Sequence, residues 1–279
     1  GLIVTSDETM KADLLISGGK IARLGEAIHC PDSKMLDAAG KYVLPGGVDA
    51  HTHLNLQIGD NKVSDGFYEG SAAAAFGGTT CVVEHPSFGP VNCSLLHQVR
   101  ECRREGSKNS VVDFGIHGVF QHLNEEILAE CADLLAEGVS SAKIYTTYSG
   151  RLRDPQILSV LNRAKEIGLL TAFHAENHDI IDFLSSRLSA GDLKNPFYHT
   201  VTRPGCSESE AIYRLICMSD ALGGVPVYVV HLSTAEGLAV IEAARARGLQ
   251  VYAEVCPQHL LLTDDCYHER NNQGLKYIM

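Results

Sequence analysis

The sequence predicts an α/β fold: a TIM-type (β/α)8 barrel with seven of its strands visible, preceded by a small β unit. Two observations carry this. From Tyr42 onward, short apolar strands alternate with longer helical segments, the pattern of a parallel sheet. Several of those strands also end in His, at positions 51/53, 117, 174 and 231. The C-terminal face of a barrel brings side chains from different strand ends to one place. An open doubly wound sheet would spread them along a line at about 4.8 Å per strand, so the barrel is the better reading.

The first element is the β unit, residues 1–45. Residues 12–16 are apolar and β-prone, Gly18-Gly19 marks a turn, and 20–24 and 35–38 read as further short strands. These are too few to bury a core alone. The barrel part, 46–279, follows. Its strands are expected at 47–53, 79–85, 110–117, 140–145, 169–174, 225–231 and 250–255. Helical runs lie at 125–137, 154–168, 207–222 and 235–248, and Gly138, Gly168 and Gly248 sit where C-terminal stops belong. The last residues, up to Met279, should lead to an eighth strand. The chain is therefore expected either to be a fragment or to have that edge covered another way.

Bulk properties narrow the function. The chain has 279 residues, room for one large domain or one and a half. Hydrophobic residues at 45% and charged residues at 20% are ordinary for a globular protein. No apolar run reaches the roughly 18 residues of a membrane span, and the first twenty residues lack the pattern of a signal peptide. A net charge of −11 weighs against nucleic acid or an anionic membrane surface as partner. The nine Cys are odd in number and include no Cys-x-x-Cys pair. They read as thiols of a reducing cytoplasm rather than a disulfide framework.

Four local patterns point to chemistry. In Asp49-Ala50-His51-Thr52-His53, the two His fall on one face of a strand, about 7 Å apart along it. There they can grip one metal ion or be incidental. Lys143 interrupts the apolar run Ser141-Ala142-Lys143-Ile144-Tyr145. It either reaches solvent at an edge or is buried, and a buried ammonium is costly unless paired or chemically altered. His174 and His231 each end a further apolar strand. Four His and one Lys at four strand ends suit a divalent ion with nitrogen and oxygen ligands. Zinc fits best, with Mn, Co and Ni also compatible.

The stretches Pro45-Gly46-Gly47-Val48-Asp49-Ala50-His51-Thr52-His53, Lys143-Ile144-Tyr145-Thr146-Thr147-Tyr148, His174-Ala175-Glu176-Asn177, Tyr228-Val229-Val230-His231-Leu232-Ser233 and 254–262 occur in order along the chain. In this it resembles the amidohydrolase superfamily, within it the hydantoinase/dihydropyrimidinase branch.

The resemblance implies two divalent metals. One is held by His51 and His53 and the other by His174 and His231. Lys143, carboxylated by CO2, and a hydroxide bridge them. The hydroxide would attack a ring amide, with Tyr148 donating to the developing oxyanion; a loop aromatic packed on the barrel rim is the other reading of Tyr148. It also implies that residues 1–45 belong to a β-sandwich domain, and that the protein forms a homotetramer. The family's catalytic Asp, on the eighth strand, has no counterpart; Asp264 and Asp265 follow the seventh strand too closely. The chain alone is thus expected to be inactive.

Dihydroorotase-like relatives carry an Arg after the His-x-His pair to hold a carboxylate. Here Leu54 and Asn55 follow, which favours a small neutral cyclic amide as substrate. Leu54, Leu56, Phe88 and Tyr145 offer apolar surface for its substituent. His85 and His117 are expected to be structural, and His178 a neutral variation. An allantoinase-like hydrolase and a non-catalytic dihydropyrimidinase-related assembly protein are the alternatives.

Overall fold

A computed structural model describes residues 1–58 and 60–278. At the N-terminus, β1 (Leu2–Val4) pairs antiparallel with β2 (Thr9–Lys11). β3 (Asp13–Ser17) and β4 (Lys20–Gly25) form a hairpin. Its turn is Gly18-Gly19, both at positive φ (58° and 73°), where glycine carries no steric penalty. β5 (Tyr42–Val43) then lies parallel to β1. The strand expected at 35–38 does not form. Met35 and Leu36 are 84% and 81% exposed, and the segment joins no ladder among the described residues. β-propensity reflects a fit to a half-buried pleated surface, and without a partner strand it holds nothing extended.

From Gly47 onward the chain follows the predicted alternation of strand and helix. Its elements in order are β6 (Gly47–Thr52), the small hairpin β7 (Gln57–Ile58) and β8 (Asn61–Lys62), α1 (Phe67–Phe76), β9 (Thr79–Glu84), α2 (Leu95–Asn109), β10 (Asp113–Ile116), β11 (Gly118–Val119), α3 (Glu125–Ala129), α4 (Cys131–Ala136), β12 (Ser141–Tyr145), α5 (Asp154–Ile167), β13 (Leu170–His174), α6 (His178–Ser186), α7 (Phe197–Thr202), α8 (Gly205–Ala221), β14 (Val227–Val229), α9 (Ala235–Ala246) and β15 (Val251–Ala253). All seven expected strands are present. The sixth and seventh are shorter than predicted, because their last residues leave the ladder to form the rim.

β10 and β11 are one strand bent at His117. The first half pairs with β9 and the second with β12, so the strand joins two parallel sheets into one arc. The order β6, β9, β10/β11, β12, β13, β14, β15 follows the chain without reversal, and every pair is parallel. A doubly wound sheet reverses at a switch point, and this one does not. The arc is also strongly curved. Five strand spacings separate β6 from β14, about 24 Å on a flat sheet, yet the His51 and His231 rings lie 5.4 Å apart.

Side-chain alternation divides the two faces. On β12, Ala142 and Ile144 point outward into the apolar layer shared with the helices, while Ser141, Lys143 and Tyr145 point inward. The outward layer continues through Phe173, Ile157, Leu161, Ile212, Leu215 and Ile241, all fully buried. α5 shows how a local signal places a helix. Gln156 accepts from the Arg153 backbone N–H at 2.9 Å, and Gly168 ends the helix at φ 75°. The run expected as one helix at 125–137 instead bends at Glu130, into α3 and α4. The Glu130 carboxylate accepts from Ser94 Oγ (2.8 Å) and the Leu95 backbone N–H (2.7 Å), closing the start of α2.

Candidate metal centre

Four imidazoles and one amine meet at the C-terminal ends of β6, β12, β13 and β14. His51 Nε2 and His53 Nε2 are 3.1 Å apart, and His174 Nδ1 and His231 Nε2 are 2.9 Å apart. Two nitrogens about 2.0–2.1 Å from one shared ion stand roughly 3 Å apart when the angle at the ion is close to a right angle. Each pair therefore fits one ion. Among the described residues, no group of three or more His, Cys, Asp or Glu side chains is placed to hold one, and each pair is open to a further donor.

Lys143 stands where that donor is needed. It is fully buried, and its Nζ has no hydrogen-bond partner among the described residues. It stands over the Tyr145 ring, 5.4 Å from its centroid. Burial pulls the ammonium down to about 7, so a large neutral fraction exists at physiological pH. The histidines are likewise held neutral, the form that binds metal. Burial pushes His53 down to about 3, and His231 falls well below the usual imidazole range. An orphaned buried amine between two pairs of neutral imidazoles is a donor set suited to two divalent cations.

Two carboxylates fix the rings from behind. Glu254, just past β15, contacts His51 Nδ1 and also takes the Tyr228 hydroxyl. Glu176 Oε2 lies 2.7 Å from His174 Nε2. Burial opposes the charge on both, but their hydrogen bonds outweigh it and hold each carboxyl below its usual range. In each case the second ring nitrogen is taken, which leaves the first to face the centre.

The loop after β12 brings Tyr148 beside the second pair, its ring 5.0 Å from that of His174. Tyr148 (φ 67°) and His231 (φ 40°) are two of the six non-glycine residues at positive φ among those described; three of the others are Asn. Backbone strain of this kind gathers at functional sites. Tyr145 stacks at a tilt on His174 and meets Phe88 edge-on at 5.5 Å. Phe88 itself lies against Gly150. Leu54 instead packs over Gly70 of α1 and joins the core layer.

His117 is tied at both nitrogens, to Ser141 Oγ at 2.6 Å and the Ala50 carbonyl at 3.1 Å. His85 is fully buried, stacked on His117 at 4.0 Å and edge-on to His51 at 4.2 Å. Asp264 and Asp265 are exposed in a short 3-10 helix, and His178 Nδ1 lies 3.4 Å from Thr147 Oγ1 at the start of α6.

The model of the amidohydrolase family matches residues 42–260. The chain belongs to the amidohydrolase family. It is 41% identical over its whole length to a D-phenylhydantoinase of Escherichia coli O1:K1 / APEC, and spans 60% of that protein. It superposes along its full length on a dihydropyrimidinase from Brevibacillus agri NCHU1002, with a TM-score of 0.95 and 36% identity, covering 60% of that chain. A D-hydantoinase from a Bacillus sp. AR9 gives the same score and identity, with 61% covered.

Within this amidohydrolase chain, the predicted residues His51, His53, Lys143, His174, His231 and Tyr148 come together, with Tyr145 and Phe88 beside them. Sequence reasoning missed Glu254, Glu176 and Arg203, which stands behind Glu176. Both carboxylates sit inside the quoted motifs, one directly after a β-strand and one two residues past a strand-end His. That position was a usable signal.

Proposed function

We propose that the protein carrying this chain hydrolyses the ring amide of a hydantoin or dihydropyrimidine at a binuclear metal centre. On this reading the arc is the wall of a (β/α)8 barrel (residues 46–279), which an eighth strand would complete. Residues 1–45 form part of a β-sandwich domain. The protein would be cytoplasmic and a homotetramer. The single observation that carries the proposal is the pairing of four ring nitrogens at 3.1 and 2.9 Å around the buried Lys143 amine.

Each residue then has a task. The neutral Lys143 amine attacks CO2: its nitrogen forms a bond to carbon, one proton leaves to solvent, and a carbamate results. That anion would supply oxygen donors that an amine cannot. His51 and His53 would hold one ion and His174 and His231 the other, with zinc the best match to the donors. When bound, the two ions supply a water activated for attack at neutral pH and polarise the substrate carbonyl.

Tyr148 donates its hydroxyl hydrogen to the carbonyl oxygen as negative charge develops there. Burial raises its pKa, which keeps the phenol protonated for that purpose. Tyr145 and Phe88 form an aromatic wall for a ring substituent. Leu54 and Asn55 after His53 provide no cation for a carboxylate, which supports a neutral ring. Every ligand position that the chain spans is kept, which favours the hydrolase over a non-catalytic assembly protein.

The test is ring opening of 5-phenylhydantoin, dihydrouracil and allantoin by the protein, with and without chelator. Turnover of one of the first two, abolished by chelation and restored by zinc, is the expected result. Turnover of allantoin alone would move the substrate to that class. No turnover by metal-loaded protein would overturn the reading.

A further inference from the structure

The strap between β13 and α8 carries a cation whose role nothing above requires. Arg203 closes α7 and precedes Pro204 at the start of α8. Its side chain is three-quarters buried, and its Nε lies 3.6 Å from Glu176 Oε1. The same guanidinium also stands 3.4 Å from His199 Nδ1 and from Thr202 Oγ1, within its own helix. Glu176 in turn holds His174 Nε2 with its other oxygen at 2.7 Å. Its backbone is fixed as well, since Thr146 Oγ1 donates to the Glu176 carbonyl at 2.7 Å and accepts from its N–H at 2.9 Å.

A chain of contacts thus runs from Arg203 through Glu176 to His174. On the His51 side, Glu254 is met by the neutral Tyr228 hydroxyl, and no guanidinium is paired with it among the described residues. The two nitrogen pairs are therefore braced differently.

We infer that Arg203 is a positioning residue that fixes Glu176 against His174, making occupancy of the His174/His231 pair depend on it. This rests on the proposed binuclear centre. A carboxylate behind a ligand imidazole orients the ring and raises its basicity, and loss of such a partner lowers metal affinity by about 10–100-fold. Without Arg203, the Glu176 carboxylate keeps one partner and gains freedom to turn away from His174. The His51/His53 pair, braced by Glu254, should feel nothing.

The experiment loads the protein with Co(II) and follows release into excess chelator by visible absorption, for wild type, Arg203→Met, Arg203→Lys, Glu176→Gln and the Arg203→Met/Glu176→Gln double variant. Folding of each is checked by circular dichroism. Wild type should release two ions in two phases. In Arg203→Met and in Glu176→Gln, one phase should accelerate by about 10–100-fold and the other stay unchanged. The double variant should be no faster than the worse single one, since both act through one contact, and Arg203→Lys should fall between. Two unchanged phases in folded Arg203→Met would overturn the inference and leave the binuclear centre standing, as would equal acceleration of both phases. Wild-type protein that takes up no cobalt would overturn the centre and the inference together.

Discussion

His51 Nε2 and His53 Nε2 lie 3.1 Å apart, two residues apart on one strand. The second pair reaches nearly the same separation, 2.9 Å, between residues 57 positions apart on different strands. Period-2 alternation explains the first pair. Only the curvature of the sheet explains the second, and the same curvature brings His51 within ring contact of His231.

Tyr148→Phe removes one hydroxyl and leaves the ring beside His174. If Tyr148 donates to the oxyanion, kcat for 5-phenylhydantoin should fall by about 10²–10³ with bound metal unchanged. Steady-state kinetics and elemental analysis on the same preparation check both parts. A change below threefold would remove Tyr148 from the chemistry.

Glu84 is buried under β6, accepting from Thr52 Oγ1 at 2.7 Å. Burial raises its carboxyl to about 8. The folded-state value lies above the unfolded one, so its contribution to stability is fully present below about pH 4 and is lost as pH rises towards 8. Glu84→Gln, which stays neutral, should flatten that decline and gain a few kcal/mol, at about 1.4 kcal/mol per pH unit. Urea midpoints from pH 5 to 9 read this directly. Parallel curves for the two proteins would show Glu84 ionised in the fold.

Leu134 of α4 is fully buried and packs over Gly118 of β11. Leu134→Ala should cost about 3–5 kcal/mol of unfolding free energy through lost burial and a residual cavity. Urea denaturation monitored by circular dichroism measures it. A loss under 1 kcal/mol would mean the α4 layer collapses around the gap.

Much of this was legible in the sequence. The seven strands could be read because parallel strands buried on both faces are short apolar runs between helices. The ligand candidates stood at their ends. The missing parts depend on contacts far apart in sequence. Glu254 meets His51 across 203 residues, and Arg203 at the end of α7 meets Glu176 just past β13. Glu130 bends a helix because its carboxylate is needed at Ser94, and no helical periodicity reports that. The strand expected at 35–38 failed for the converse reason, since its residues have the propensity and no ladder to join.

Metal content per chain, measured by elemental analysis on wild type and Lys143→Ala, tests the central claim most directly. About two equivalents in wild type, falling to one or fewer in the variant while circular dichroism stays the same, is the predicted result. No bound metal in either protein, or two equivalents in both, would contradict a lysine-bridged pair of ions.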